Sequence, residues 1–223
     1  MVKYVIGLIC IISVISGCDK DSQKSECDFT DAYYYQGSLN VIGEISEEYI
    51  LIGSDSSNTD ESIRAFVASN KKIDQDYFIK IKRFSNYQYK QVVLKLKKRF
   101  NCGRITKIIE DIEQDEVVDY AHFGIETTYC NDDYGYPIGE KCIYSYSGLF
   151  NVKVKDPNNL SDLINTIEET NTMLIEQNKF MDDWVTLEAT KNSEGDAMQM
   201  ANYFYETGLF EACEPDILLL PVE

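Results

Sequence analysis

Histidine, paired-cysteine motifs and basic side chains are scarce in this 223-residue chain, and each scarcity argues against a class of site or partner. The one histidine, His122, is far from any Gly-x-Ser-x-Gly turn, so a serine-hydrolase triad has no support. No Cys-x-x-Cys spacing occurs, which leaves a structural zinc site poorly supported. Lysine and arginine number 21 against 38 acidic residues, a net charge of −17. Because nucleic acids and anionic headgroups are bound through basic side chains, this composition argues against both as partners.

Long apolar runs are also missing, except near the first residue. After Lys3, residues 5–15 read VIGLICIISVI, and Ser16 and Gly17 are small residues where a signal peptidase would cut. This run makes a helix of about 16 Å, too short for a hydrocarbon core of about 30 Å. We therefore expect residues 1–17 to be a cleaved signal peptide rather than a transmembrane anchor.

The residues at this cleavage position form a recognisable motif. Residues 15–18 (ISGC) resemble the lipobox of bacterial lipoproteins, which implies that Cys18 is acylated and begins the mature chain. The alternative is an ordinary secretory signal with a chance cysteine. Residues 18–32 are polar and charged and suit a flexible tether, and 19–21 (DKD) resemble a surface-export signal of some Gram-negative lipoproteins. We expect an outer-membrane lipid anchor, on the periplasmic side or at the cell surface.

Five further cysteines belong to the expected exported body: Cys27, Cys102, Cys130, Cys142 and Cys213. Export allows disulfides, and an odd number leaves at least one thiol unpaired within a monomer. Cys130 and Cys142 are close in the chain, with Gly135 and Pro137 able to turn the backbone between them. The spacing therefore predicts a Cys130–Cys142 disulfide and leaves the other pairings open.

The last third of the chain has the clearest periodicity. Its alternating and helical patterns predict a strand at 150–154, a helix starting at Pro157, strands at 173–176 and 184–189, a helix capped by Ser193, and a strand at 209–214. This β-α-β-β-α-β order is that of a ferredoxin-like unit. We expect an α+β protein in which this unit packs with a smaller, irregular α+β N-terminal half.

The first half gives a less regular pattern. We predict short strands before residue 52, a helix capped by Thr59, a second helix capped by Ser85 and stopped at Gly103, and strands at 105–109 and 117–120. The resulting domain prediction has six parts: signal peptide 1–17, tether 18–32, N-terminal subdomain 33–126, cysteine-bracketed connection 127–147, ferredoxin-like domain 148–217 and tail 218–223.

Three segments of the last third carry a family resemblance. Residues 184–187 (WVTL), 201–210 (ANYFYETGLF) and 212–216 (ACEPD) resemble the propeptide or inhibitor-type domain that precedes the catalytic domain of subtilisin-like serine peptidases. The resemblance implies a ferredoxin-like fold and a capacity to bind a protease through the sheet and the tail that follows it. No catalytic domain follows in this sequence, so we expect a body that acts alone.

Two groups of residues are candidates for partner binding. Leu218, Leu219 and Leu220 could add as a strand in a protease groove, or they could pack along the sheet edge. Tyr134 and Tyr136 could anchor a protein partner or stack on sugars, or they could serve strand packing.

The remaining chemical candidates favour structural roles. We expect His122 to be a buried, hydrogen-bonded residue, and we expect the acidic residues of 111–119 and 131–133 to lie on solvated surface, because neither segment follows a calcium-loop pattern. The sequence thus predicts no catalytic residue, metal or cofactor. It favours a monomeric, lipid-anchored protein-binding module, an inhibitor or folding helper of a subtilisin-like protease. The alternative is a glycan-binding or outer-membrane-complex accessory lipoprotein.

The lipid anchor makes a direct prediction. In cells producing Cys18→Ala, we expect an uncleaved or unlipidated precursor, because the thiol of Cys18 carries the acyl chain. Detergent phase partitioning measures this, with Cys213→Ala as the matched cysteine control. Fully processed Cys18→Ala protein in the detergent phase would contradict the lipobox interpretation.

Overall fold

A computed structural model describes residues 27–83 and 89–223. The signal peptide, Cys18 and the Ser85 cap predicted above lie outside the described residues. The strands are β1 (Ala32–Tyr35), β2 (Ser38–Val41), β3 (Ile45–Asp55), β4 (Ile81–Arg83), β5 (Tyr89–Lys95), β6 (Tyr120–Glu126), β7 (Cys142–Lys153), β8 (Met173–Gln177), β9 (Trp184–Glu188) and β10 (Ala212–Pro221). The helices are α1 (Asp60–Ser69), α2 (Cys102–Glu113), α3 (Ser161–Thr170) and α4 (Ala197–Glu206).

The second half of the chain is a ferredoxin-like unit, as its periodicity predicts. Its order is β7-α3-β8-β9-α4-β10, and its antiparallel strands lie side by side as β10-β7-β9-β8. The α+β class is therefore confirmed. Helix α4 begins later than the predicted cap Ser193, because Asp196 and Gln199 form a capping box in which each side chain accepts from the other's backbone N–H.

The first half is more regular than its sequence pattern indicates. Its order β3-α1-β4-β5-α2-β6 and its strand arrangement β4-β5-β3-β6 repeat the topology of the second unit. The predicted cap Thr59 is present and accepts a hydrogen bond from Ser62 N. The protein thus consists of two ferredoxin-like units, preceded by the hairpin β1-β2.

Two predicted elements of the first half were wrong. The expected helix around 89–100 is strand β5, which lies between β4 and β3 and is buried over five consecutive residues. Its apolar residues Tyr89, Val92, Val93 and Leu96 happen to recur at helical spacing. The expected strand at 105–109 belongs to α2, whose N-cap Asn101 accepts from Arg104 N, so Gly103 lies in the first turn of a helix rather than at its end.

Strand β7 joins the two units into one eight-stranded sheet. Its first residues pair with β6, through Ile125 opposite Tyr144, and its last residues, 149–153, pair with β9. Strand β10 follows the other edge of β7 from Cys142 to Lys153. Both units therefore depend on the same strand.

The junction between the units is filled by the ring of Tyr120. A Cβ at Gly53 would collide with this ring, and one at Gly148 would lie 3.0 Å from its Cδ1. Both mid-strand glycines therefore make room for an aromatic side chain. The ring of His122 stacks next to Tyr120 at 4.9 Å between centroids and against Tyr146 at 4.1 Å.

Three apolar clusters form the interior. One lies between the first unit's sheet and α1 and α2, and a second between the other unit's sheet and α3 and α4. The third covers the helix-free face and includes Tyr49, Leu51, Tyr120, Leu220 and Val222. None of the helices in the described part of the chain has the length and apolar character needed to cross a membrane.

The N-terminal segment is fastened to the body at two places. A Cys27–Cys102 disulfide, with 5.2 Å between Cα atoms, ties it to the start of α2. Further along, the hairpin β1-β2 packs on α4, where Asn202 Nδ2 donates to Ala32 O at 2.8 Å and Tyr34 stacks on Tyr205 at 4.2 Å. The predicted tether 18–32 is thus part of the folded body from Cys27 onward.

The predicted C-terminal tail is not separate from the domain. Residues 217–221 belong to β10 and pair with β7, with Leu218 opposite Ser145, Leu219 opposite Tyr144 and Leu220 opposite Ile143. Leu220 is 2% exposed. The segment joins the sheet because pairing with β7 satisfies its backbone hydrogen-bonding groups. Burial of Leu220 and Val222 also removes apolar surface from water.

This packing predicts that neighbouring leucines of β10 contribute very differently to stability. Leu220→Ala should lower the free energy of unfolding by about 2–5 kcal/mol, because it leaves a cavity in the third cluster. Leu219→Ala, which truncates a half-buried side chain outside the clusters, is the matched control and should cost about 1 kcal/mol or less. Urea unfolding followed by circular dichroism measures both; equal losses would contradict the placement of Leu220 in the core.

Candidate functional site

The outermost strand of the second unit, β8, has an exposed edge. It pairs with β9 on one side, and within the described ranges no strand pairs with its other side. All five of its residues are exposed, among them Met173 at 46%, Leu174 at 49% and Ile175 at 42%. The pairing of β8 with β9 shifts register between Leu174 and Glu176, and three consecutive apolar side chains of this strand remain uncovered. Such an edge is a template for pairing with another chain.

The turn that follows β8 extends the apolar surface. Phe180 is 97% exposed and Met181 50% exposed. Asn178 Oδ1 accepts hydrogen bonds from the backbone N–H groups of both, at 2.9 and 3.0 Å, and Gln177 Nε2 donates to Asp182 O at 2.5 Å. The turn is therefore held in one conformation that presents Phe180 to solvent. We name β8 together with Phe180 and Met181 the β8 edge.

The opposite end of the sheet is protected against pairing. Strand β4 has only three residues, of which Lys82 and Arg83 are basic, and Arg83 forms a 2.6 Å ion pair with Asp60. Short edge strands with charged side chains discourage pairing with another chain. The two ends of the strand path from β4 to β8 therefore differ, and of these two the β8 edge is the one that remains open to a partner strand.

The surroundings of the β8 edge are acidic. Within 161–183 the charged residues are Asp162, Glu168, Glu169, Glu176, Asp182 and Asp183, and a single base, Lys179. Asp183 lies 3.4 Å from Lys153 Nζ, which also pairs with Glu211 at 2.6 Å, while the other acids of the segment form no ion pair within the part of the chain that the structure covers. An approaching apolar segment flanked by lysine or arginine would meet a complementary charge.

The tyrosines predicted to bind a partner lie elsewhere, on the loop between β6 and β7. Tyr134 is 87% and Tyr136 68% exposed, and the disulfide Cys130–Cys142 that the sequence predicts closes the loop. Asp132 Oδ1 accepts from the backbone N–H groups of both tyrosines. The side chain of Asp132 thus holds the turn that carries both tyrosines.

The leucines predicted to bind a partner are not brought together with these tyrosines on one open surface. The end of β10 meets the base of the disulfide-closed loop, where Val222 N donates to Lys141 O at 2.9 Å. Leu220 turns inward there and Leu218 packs partly against the third cluster. The chain end is therefore occupied by intramolecular contacts.

His122 is a buried structural residue at the junction. Its Nδ1 lies 2.8 Å from Tyr146 O, and Tyr146 in turn donates its hydroxyl to Asp196 Oδ2 at 2.9 Å. Burial lowers the pKa of His122 below its ordinary value. The imidazole is therefore neutral at pH 7 and serves as a stacked ring in the core.

A polar cleft of about 290 Å³ lies beside this junction. Its carboxylates include Glu113 and Asp119, and burial raises the pKa of both. Glu113 Oε1 accepts from Ala121 N at 2.9 Å, which gives this carboxylate a role in holding α2 against β6. Among residues 27–83 and 89–223 no cluster of histidine, cysteine, aspartate and glutamate is arranged to hold a metal ion.

Sequence reasoning found the strand at 173–176 but missed its exposure. A usable signal was present: Met173, Leu174 and Ile175 are consecutive apolar residues without alternation, and Phe180 and Met181 interrupt a polar turn. A strand of consecutive apolar residues is usually covered by neighbouring elements. In this order of elements β8 is the outermost strand of its unit and pairs with β9.

The chain has little similarity to known proteins. No protein-family model and no curated protein matches the chain. Among solved structures, the small subunit of acetolactate synthase from Thermotoga maritima is similar at 13% identity and a TM-score of 0.28, over 79% of this chain and 97% of that one. Because the likeness is so low, the fold description rests on the strand pairing itself. The topology and the β8 edge define an α+β protein of two ferredoxin-like units with an exposed apolar edge strand, β8.

The burial of His122 predicts a defined pH effect on stability. Because its pKa is lowered on folding, its contribution is present above the unfolded value of about 6.5 and is lost as the pH falls below it. The stability difference between the native protein and His122→Phe should therefore shrink from pH 8 to pH 5, since phenylalanine stacks without titrating. Urea unfolding at each pH measures it; a pH-independent difference would contradict a neutral buried imidazole.

Proposed function

We propose that this chain is a lipid-anchored, non-catalytic module of the bacterial cell envelope that binds a protein partner by accepting an extended segment at the β8 edge. The observation that carries the proposal is the exposure of β8 over its full length, with three apolar side chains and Phe180 beside them. Exposed apolar edges of this kind are avoided by proteins that do not use them.

Strand addition explains how such an edge would bind. The free backbone N–H and C=O groups of β8 supply affinity through main-chain hydrogen bonds, independent of the partner's sequence. Specificity then comes from the exposed apolar side chains of the strand, Met173, Leu174 and Ile175. Phe180 and Met181 add exposed apolar area beside the strand, and Phe180 supplies an aromatic side chain that can be buried against a partner.

The expected partner segment follows from the charges around the edge. Five carboxylates of the segment 161–183 form no ion pair in the described chain, and Lys179 is the only base of that segment. A partner segment with apolar residues at its centre and lysine or arginine at its ends would satisfy both features.

The lipid anchor would restrict where that partner lies. If Cys18 carries lipid, the body begins at Cys27, which the disulfide with Cys102 fixes to α2. Residues 19–26 then reach at most about 29 Å from the acylated cysteine. The partner would accordingly be in the same membrane or within a few nanometres of its surface.

The subtilisin-like peptidase resemblance supplies one class of partner, which the chain would inhibit or help to fold. With Leu218–Leu220 built into β10, a protease would be contacted through the sheet rather than through a free tail. A second candidate, glycan binding or assembly with an outer-membrane complex, is favoured by the exposure of Tyr134 and Tyr136 on the disulfide-closed loop.

Site-specific photo-crosslinking in native envelopes tests the proposal. A photoreactive phenylalanine analogue at position 180 should give a protein adduct, and Ile175→Lys in the same chain should weaken its formation at least tenfold, because a lysine on the strand edge blocks pairing. Ile164→Lys is the matched control, since Ile164 is equally exposed at 51% but lies on α3. It should leave the adduct unchanged.

The outcomes separate the candidates. An adduct identified by mass spectrometry as a subtilisin-like protease supports the inhibitor or folding-helper role, and another envelope protein supports an accessory role. Absence of any adduct from position 180, together with an Ile175-independent adduct from position 134 or 136, would overturn binding at β8 in favour of the tyrosine-rich loop.

A further inference from the structure

A groove of about 490 Å³ crosses the helix-free face of the first unit. Its floor is formed by Gln91 and Val93 of β5, one wall by the segment leading into β4, and the other wall by the last residues of the chain, 220–223. The groove is far along the sheet from the β8 edge, because β4 and β8 are its two outermost strands. It is therefore a second surface, independent of the proposed protein contact.

Alternation places two lysines and a phenylalanine along one wall of the groove. Lys82 lies opposite Gln91 in the β4–β5 register, and Lys80 and Phe78 follow at two-residue intervals on the same face. Ile79, between them, is 5% exposed and packs in the first cluster under the helices. Phe78 itself is 74% exposed and presents its ring to the groove.

These lysines lack carboxylate partners in a strongly acidic protein. Neither Lys80 nor Lys82 forms an ion pair with any residue in the described ranges, and the segment 84–88, FSNYQ, contains no acid. On the groove floor beside Val93, Lys95 Nζ lies 5.9 Å from the centroid of the Tyr49 ring and forms no ion pair within the described residues. Burial and the positive charge of the neighbouring Lys80 lower the pKa of Lys82. The protein therefore stabilises the charged form of this lysine poorly.

The acids that line the groove are mostly engaged with other groups. Asp74 Oδ1 accepts from Asp76 N at 3.0 Å within its own turn. Glu223 accepts from the Tyr49 hydroxyl at 3.5 Å and lies 4.0 Å from Lys141 Nζ. Asp74 and Asp76 form no ion pair among the residues the structure covers, so three lysines, Lys80, Lys82 and Lys95, share the groove with two carboxylates that lack a basic partner.

We infer that this groove binds a small anionic ligand, a carboxylate or phosphate attached to an apolar or ring-shaped body. The anionic group is placed between Lys80 and Lys82, where each gains the opposite charge that the protein does not provide. The body of the ligand lies between Phe78 and the half-buried Pro221 of the opposite wall. Tyr77 strengthens this wall, because its hydroxyl donates to Val222 O at 3.0 Å and holds the chain end in place.

Isothermal titration calorimetry of residues 19–223 with four probes tests whether the groove binds such a ligand. Phenyl phosphate and benzoate carry both the charge and the ring, and they distinguish a phosphate from a carboxylate ligand. Inorganic phosphate carries the charge alone and benzyl alcohol the ring alone. Phenyl phosphate or benzoate should bind at least tenfold more tightly than either single-feature probe.

Variants locate the binding. Lys80→Gln and Lys82→Gln should each weaken binding of the better aromatic anion about tenfold, whereas Lys71→Gln, at an exposed lysine of the same unit, should have no effect. Phe78→Ala should weaken the aromatic anions but leave inorganic phosphate unchanged. Because these side chains are outside the buried clusters, unchanged circular dichroism spectra should accompany each loss.

Three results would overturn the inference: equal binding of benzyl alcohol and phenyl phosphate, binding that survives the double Lys80→Gln, Lys82→Gln variant, or no binding of either aromatic anion at millimolar concentration. Failure of the protein partner to bind at the β8 edge would have no bearing on this outcome.

Discussion

The architecture depends on the fit of Tyr120 between two glycines at the centre of the sheet. Gly53 of β3 and Gly148 of β7 leave the space that this ring occupies, and any larger residue at Gly53 would collide with it. The ring brings the end of one unit against the first strand of the next, and the stack continues through His122 to Tyr146. Two ferredoxin-like units thereby become one sheet with a shared strand, β7.

Sharing β7 determines which surfaces remain available. Both edges of β7 are occupied, by β6 and β9 on one side and by β10 on the other, so the chain end that could have served as a peptide is part of the sheet. Pairing with another chain is then left to the outer strands. Strand β4 is short and basic, whereas β8 is apolar and uncovered, and this asymmetry gives the protein one preferred end for a partner.

The sequence predicted those parts of the fold that local patterns determine. The β-α-β-β-α-β order of the second unit, the Thr59 cap and the close Cys130–Cys142 pair all depend on neighbouring residues. The errors arose where a distant partner decides the structure: β5 is fixed by pairing with β3, and residues 217–221 are fixed by pairing with β7. The β8 edge and the groove lined by Lys80 and Lys82 could not be predicted for the same reason. Whether a side chain is exposed or lacks an ion pair depends on the assembled fold.

The central claim is that β8 accepts a partner strand, and amide hydrogen exchange of the free and partner-bound protein measures this most directly. In the free protein, outward amides of β8 should exchange far faster than those of β7, which is paired along both edges. On binding of the cross-linked partner, new protection should appear in residues 173–181. Protection confined to the loop 130–142, with β8 still exchanging fast, would contradict the account.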